Sequence, residues 1–259
     1  MTTREDPDAT LTEDPAADLR SGRVVWIDLA RGGALLGMVV FHFGVDLELF
    51  GHLAPGTTRS GGWAVFARLV AGSFLFVAGI SLYLAHGKGI RWRAFWRRFA
   101  VLAVAAAGIS LATWIAVPQA FIFFGILHSI AVASLVGLAF LRIPAGVTLA
   151  AAAGVLALPR FYSAPLFDAP LLWWTGLSTF TPASLDFEPV FPWLAPCLAG
   201  IALARIGART GLWDALRSRP PAPQLLNRLA CPGRNSLLIY LVHQPVLIAI
   251  VWVATWIAY

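Results

Sequence analysis

Apolar residues run along this chain in seven long stretches, at about residues 24–48, 61–85, 94–115, 119–141, 144–160, 187–207 and 235–258. A bilayer core of about 30 Å takes about 20 such residues in a helix, and none of the stretches shows the two-residue alternation of a barrel strand. The pattern therefore predicts an all-α, polytopic membrane bundle of about seven transmembrane helices. Most connectors are short, so neighbours in sequence pack together. Two are longer. The stretch of about 161–186 mixes aromatics with Asp168 and Asp186 and is expected to hold a short surface helix; that of about 208–234 reads as a surface helix followed by a stiff linker at Pro220-Pro221-Ala222-Pro223.

Residues 1–22 lie outside the pattern. They are polar, carry two prolines and six of the thirteen acidic residues, and are expected to form a disordered tail ahead of one transmembrane domain, 23–259. With no basic leader and cleavage site, the first span is read as a retained helix. Gly33 and Gly37 in the first span, and Gly72 and Gly79 in the second, are expected to admit close helix neighbours. Composition agrees with the pattern: hydrophobic residues make up 59%, charged residues 12%, and mean hydropathy is +0.76.

A net charge of +6 would suggest nucleic acid, until the basic residues are placed against the spans. Lys88, Arg91, Arg93, Arg97 and Arg98 fall between spans two and three, Arg142 between four and five, and Arg205, Arg209, Arg217, Arg219, Arg228 and Arg234 between six and seven. The other connectors hold little beyond Arg59 and Arg160. This positive-inside pattern predicts a cytoplasmic N-terminus and an external C-terminus, with the lipid bilayer and not nucleic acid as partner. Cys197 and Cys231 lie on unlike segments and are expected to be free thiols, with no metal site.

The first span holds an unusual set of polar groups: Asp28, Arg31, His42 and Asp46. At about 100° and 1.5 Å per residue they fall within a sector of roughly 60° along about 27 Å of axis, so they form one stripe. Each ionisable group at membrane depth costs at least about 2.5–3.5 kcal/mol, which calls for shared partners or a function. Asp28 and Arg31, three residues apart, are expected to pair. His42 and Asp46, four apart, suit an imidazole base oriented by a carboxylate. His128 lies in span four; Ser236, Tyr240 and His243 share a face of span seven, where Pro245 frees the carbonyl of Leu241. Counting from the cytoplasmic end of each span puts His243 shallowest, His128 intermediate and His42 deepest, in steps of roughly 6–9 Å. His52 follows the first span.

These residues also carry a resemblance. Asp28-Leu29-Ala30-Arg31-Gly32-Gly33-Ala34 with Phe41-His42-Phe43, Gly72-Ser73-Phe74-Leu75-Phe76-Val77-Ala78-Gly79, Phe124-Gly125-Ile126-Leu127-His128, Phe191-Pro192-Trp193 and Gly233-Arg234-Asn235-Ser236, with Tyr240, His243, Gln244 and Pro245, resemble bacterial members of the heparan-alpha-glucosaminide N-acetyltransferase catalytic-domain family. The portion from Asp28 to His42 is also similar to the acyltransferase family 3 proteins. The resemblance implies an enzyme of the bacterial inner membrane that passes an acetyl or acyl group from cytosolic acetyl-CoA to an extracytoplasmic acceptor, a sugar or amino sugar, with no metal or haem and with a homodimer as an admissible assembly. It implies His42, Asp46 and His52 as catalytic candidates, and Asp28, Arg31, His128, Arg234, Asn235, Tyr240 and His243 as donor-binding candidates. Arg93, Arg97 and Arg98 join Arg31 and Arg234 as candidate phosphate partners. In the lysosomal glucosaminide enzyme the catalytic histidine matches His52, and in acyltransferase family 3 it matches His42. We favour His42 as base, with His52 the alternative; direct transfer and an acyl-histidine intermediate both stay open. The competing readings are a transporter using the charged stripe, with Pro245 as hinge, and a b-type haem protein, which the unequal histidine depths disfavour.

Overall fold

The computed structural model describes residues 24–217 and 224–258. The expected tail, 1–22, and the proline-rich linker lie outside the described residues. The long helices are α1 (Val25–Leu49), α2 (Gly61–His86), α3 (Trp92–Ala116), α6 (Val190–Arg209) and α9 (Ser236–Ala258). All five are long and apolar enough to cross a membrane. Between them stand two shorter apolar helices, α4 (Ile126–Phe140) and α5 (Ala145–Phe161), and two amphipathic ones, α7 (Leu212–Arg217) and α8 (Gln224–Arg234). The described residues thus form an all-α polytopic membrane bundle. We call the end where α1 begins the near end, and the end where it stops the far end.

Apolar side chains point outward as well as inward. Leu36, Leu69, Val104, Ile115, Trp256 and Ile257 are widely exposed, while Asp28 and Asp46 are buried. A water-soluble domain has the opposite arrangement; facing lipid, this one costs nothing. Helix α6 is the innermost, 56% buried over its apolar stretch, and packs against α2, α4 and α5. Helices α3 and α9, each 6% buried, stand at the perimeter. Gly79 of α2 faces the backbone of Cys197, and Gly200 of α6 faces the backbone of Phe76, so a Cβ on either would strike a main-chain carbonyl. Such approach replaces the hydrophobic drive that lipid does not supply. Gly33, expected to help in the same way, has open space beside it.

One expectation is corrected. The fourth helix starts at Ile126, not near 119. Pro118–Ala120 makes a 3₁₀ turn, and Phe124 pairs with Phe187 as an isolated parallel bridge, with Leu185 N–H donating to Ala120 (2.8 Å) and Glu188 N–H to Phe124 (3.0 Å). The incoming chain satisfies backbone groups that would otherwise be orphaned in lipid. Ahead of the linker, α7 is mostly exposed, as the expected surface helix should be, and the helix that follows the linker is α8. It packs along α1, with Gly233 against the backbone of Asp28 and Gly32 facing Leu229. The long 161–186 connector contains two 3₁₀ segments, Pro165–Asp168 and Pro170–Thr175. Cys197 and Cys231 are both free.

Replacing Gly200 by valine forces its branched side chain into the Phe76 backbone. We expect a loss of at least about 1–3 kcal/mol, the range for overpacked cores, and more if α2 and α6 separate. Thermal unfolding of purified protein in detergent checks this; an unchanged melting temperature would show that the α2–α6 contact is not tight.

Candidate active site

The near end of the site is built around one carboxylate. Arg31 donates through Nη1 to Asp28 Oδ1 (2.7 Å) and through Nη2 to Ser81 Oγ of α2 (2.6 Å), so the expected pair forms and also ties α1 to α2. Arg234, at the end of α8, brings Nε within 3.8 Å of Asp28 Oδ2. It reaches that point because Gly233 beside it has no side chain to hold α8 away from α1. Asn235 does not join the cluster: its amide donates back to Cys231 O (3.3 Å) at the α8–α9 junction.

Beyond this cluster lies a cavity of about 90 Å³ bounded by α1, α2, α3, α4 and α9. Arg31, Arg98, Ser236 and Tyr240 contribute its polar lining, with Phe74 and Leu127 among the apolar remainder. Of the five arginines named as phosphate partners, only Arg31 and Arg98 reach it.

Tyr240 leads from the cavity to an imidazole pair. The His243 ring lies 5.6 Å from the Tyr240 ring and 4.9 Å from that of His42, the latter at 63°. His243 Nδ1 is 2.6 Å from the Tyr240 carbonyl. A carbonyl only accepts, so Nδ1 carries the proton and Nε2 of the neutral ring keeps its lone pair. That Nε2 is buried without a hydrogen-bond partner. The two histidines are therefore neighbours, not groups at different depths. The expected ladder assumed that every span starts at one membrane level, whereas α8, packed into α1, starts α9 deeper in the bundle.

Asp46 corrects the expected His42 partnership. Fully buried, its Oδ1 accepts Nε2 of Gln244 (2.8 Å), one residue beyond His243, and so locks α1 to α9 in place of orienting His42. His52 sits at the far end, exposed, with Nε2 2.7 Å from Thr255 Oγ1. His128 is occupied on both ring nitrogens. Gly125 N–H donates to Nδ1 (3.3 Å), and Nε2 meets Ser110 Oγ (3.3 Å), whose own proton goes to Ile122 O (2.6 Å). His128 thus holds the bent approach to α4 and does not reach the His42–His243 pair.

Asp186 is a residue that the sequence reading left in a loop. Its Oδ2 accepts the Ile126 N–H (2.9 Å) and caps α4 from a distant part of the chain. Gly125 lets it approach, since a Cβ there would collide with Asp186. The absence of Ser, Thr, Asp or Asn immediately before Ile126 was the available signal that the cap comes from elsewhere. Burial pushes the Asp186 carboxyl up to about 6 and also raises that of neighbouring Glu188, which Asp186 further disfavours as an anion. Among the described residues, no group of three or more His, Cys, Asp or Glu could hold a metal ion.

The described helices thus make a polytopic membrane bundle with a cationic cavity near paired imidazoles. The family model described as heparan-alpha-glucosaminide N-acetyltransferase, catalytic, matches residues 23–245, and the chain belongs to that family of membrane acetyltransferases. Among curated proteins and solved structures, nothing matches it.

The Asp186 cap gives a pH test. The folded state holds this proton more tightly than the unfolded chain, so the contribution is fully present below about pH 4. It is lost as pH rises through about 6. Asp186→Asn keeps an oxygen for Ile126 N–H and removes the titration. Between pH 4.5 and 7 the wild type is expected to lose more thermal stability than the variant; parallel curves would contradict the assignment.

Proposed function

We propose that the protein is an acyl-CoA-dependent acyltransferase that carries an acetyl or acyl group from a cytoplasmic donor to an acceptor on the opposite side of a bacterial inner membrane, the acceptor being a sugar or amino sugar. The observation that carries this reading is that Tyr240 lines one cavity with Arg31 and Arg98 and also touches His243, which lies against His42. In the orientation that the basic connectors favour, the near end is cytoplasmic and open to the donor. His52 lies beyond the pair on the acceptor's side.

In this reading the thioester reaches the imidazole pair from the near end and the acceptor arrives from the far end. His42 takes the proton from the acceptor O–H or N–H as the heteroatom attacks the thioester carbonyl carbon. The carbonyl re-forms as the C–S bond breaks, and the proton passes to the departing thiolate, giving the CoA thiol and the acylated acceptor. His243, with its tautomer fixed by the Tyr240 carbonyl, offers a second lone pair beside His42. Asp46 and Gln244 hold the two helices in register, and Asp28, Arg31 and Arg234 form the entrance. The low dielectric of the surroundings strengthens each of these interactions.

Acetyl-CoA binding followed by CoA release, measured over a panel of amino sugars and glycans, tests the reading. His42→Ala is expected to lower turnover by about 10²–10⁴, the usual worth of a general base, while acetyl-CoA still binds. His52→Ala is expected to change turnover far less. Well-folded protein that fails to bind acetyl-CoA at millimolar concentration would overturn the donor assignment, and loss with His52→Ala alone would move the base to the far end.

A further inference from the structure

The joint between Asp46 and Gln244 leaves two oxygens without a donor. Asp46 Oδ1 accepts Nε2 of Gln244 (2.8 Å), which links α1 to α9. The second oxygen of each group, Asp46 Oδ2 and Gln244 Oε1, is buried and meets no hydrogen-bond partner. A carboxylate oxygen and an amide oxygen only accept, so the pair cannot satisfy each other while Asp46 is an anion. Orphaned acceptors in an apolar interior are costly, and these two sit on planar groups that are already joined at their other ends.

Nor does a cation stand by. Asp46 is fully buried, and among the described residues it takes part in no ion pair. An unpaired carboxylate in that position is the most expensive form that the side chain can take. His42, one turn back on α1, turns its ring to His243 (4.9 Å between centroids) and makes no hydrogen bond to Asp46. A single donor placed between Oδ2 and Oε1 resolves both oxygens, and a protonated carboxyl group carries such a donor itself.

We propose that Asp46 is held as the carboxylic acid, its Oδ2–H donating to Gln244 Oε1, so that two antiparallel hydrogen bonds close an acid–amide clasp between α1 and α9. One proton serves both orphaned oxygens and removes the buried charge. Gln244 follows His243 and Asp46 lies one turn beyond His42, so the clasp stands next to the imidazole pair. Asp46 is thereby a positioning residue: it fixes α9 at the register where His243 meets His42, and it places no anion beside either ring. Nothing in the clasp depends on acyl transfer.

Infrared difference spectra of the full-length protein in nanodiscs at neutral pH test it, taken as wild type minus Asp46→Asn. The other carboxyl groups are common to both proteins and cancel. The clasp predicts a carboxylic-acid C=O band above the amide region that moves to lower frequency in D₂O. Gln244→Leu removes the acceptor of the Oδ2–H, and the same band is expected to move to higher frequency. Thermal unfolding tests the positioning role. Asparagine offers Oδ1 to Gln244 Nε2 and an N–H to Oε1, so Asp46→Asn is expected to unfold with the wild type, and Asp46→Ala several degrees lower. A carboxylate band in the difference spectrum, the signature of an anion bridged by water, overturns the proposal. So does an acid band that Gln244→Leu leaves in place, or an Asp46→Asn protein that unfolds as low as Asp46→Ala. Should Asp46→Asn not fold, the wild type minus Gln244→Leu spectrum decides alone: a shifted acid band supports the clasp, and its absence overturns it.

Discussion

The contact between Gly233 and the backbone of Asp28 sets the geometry of the site. It allows α8 to lie directly on α1, brings Arg234 to the carboxylate that Arg31 already holds, and fixes where α9 begins. From that starting level His243 comes beside His42, Gln244 reaches Asp46, and Thr255 meets His52. One missing side chain thus controls three pairings distributed along most of a membrane-spanning helix. A methyl group there would displace α8, and the displacement would be felt at every one of them.

The bundle has two kinds of packing. The α2–α6 contact is made by backbones brought together by Gly79 and Gly200, and it needs no polar group. Around α1 and α9 the joints are polar instead: Asp28 with two arginines, Arg31 with Ser81, and Asp46 with Gln244. In lipid, a polar joint forms because its alternative is an unsatisfied group in hydrocarbon. The same scarcity of partners makes the buried, unbonded Nε2 of His243 informative, since groups left in that condition are costly.

Much of this architecture is written in local pattern. The all-α membrane class and the approximate position of most helices follow from hydropathy, the polar stripe of α1 from helical spacing, and the Asp28–Arg31 pair from a three-residue separation. The parts that could not be read depend on contacts between distant segments. Asp46 is four residues from His42 in sequence, yet it turns to Gln244 on another helix, because side-chain direction within a helix does not fix which neighbour is packed against it. His128 looked like a site residue because histidine is rare in an apolar run; its surroundings, the Gly125 amide and Ser110, use it to close a bend. The late start of α4 was hidden because Phe121–Phe124 are as apolar as a helix would be, and the strand-like pairing that claims them comes from residues some sixty positions later. Arg98 counted as one cation among many on a basic connector, and only the helix packing separates it from Arg93 and Arg97.

The short fourth helix has a mechanical consequence. Its fifteen residues rise about 22 Å, less than the roughly 30 Å of a hydrocarbon core, and the remaining depth is bridged by the cross-linked segments around Phe124 and Phe187. A helix can slide or rotate against its neighbours with little change in its own hydrogen bonds. This wall cannot, because Asp186, Glu188 and Leu185 bond it to another stretch of chain. Across the cavity stands α9, mostly facing outward and held by a few polar joints. The cavity therefore has one wall bonded across distant segments and one held by single side-chain contacts, so any widening falls on the joints of α9.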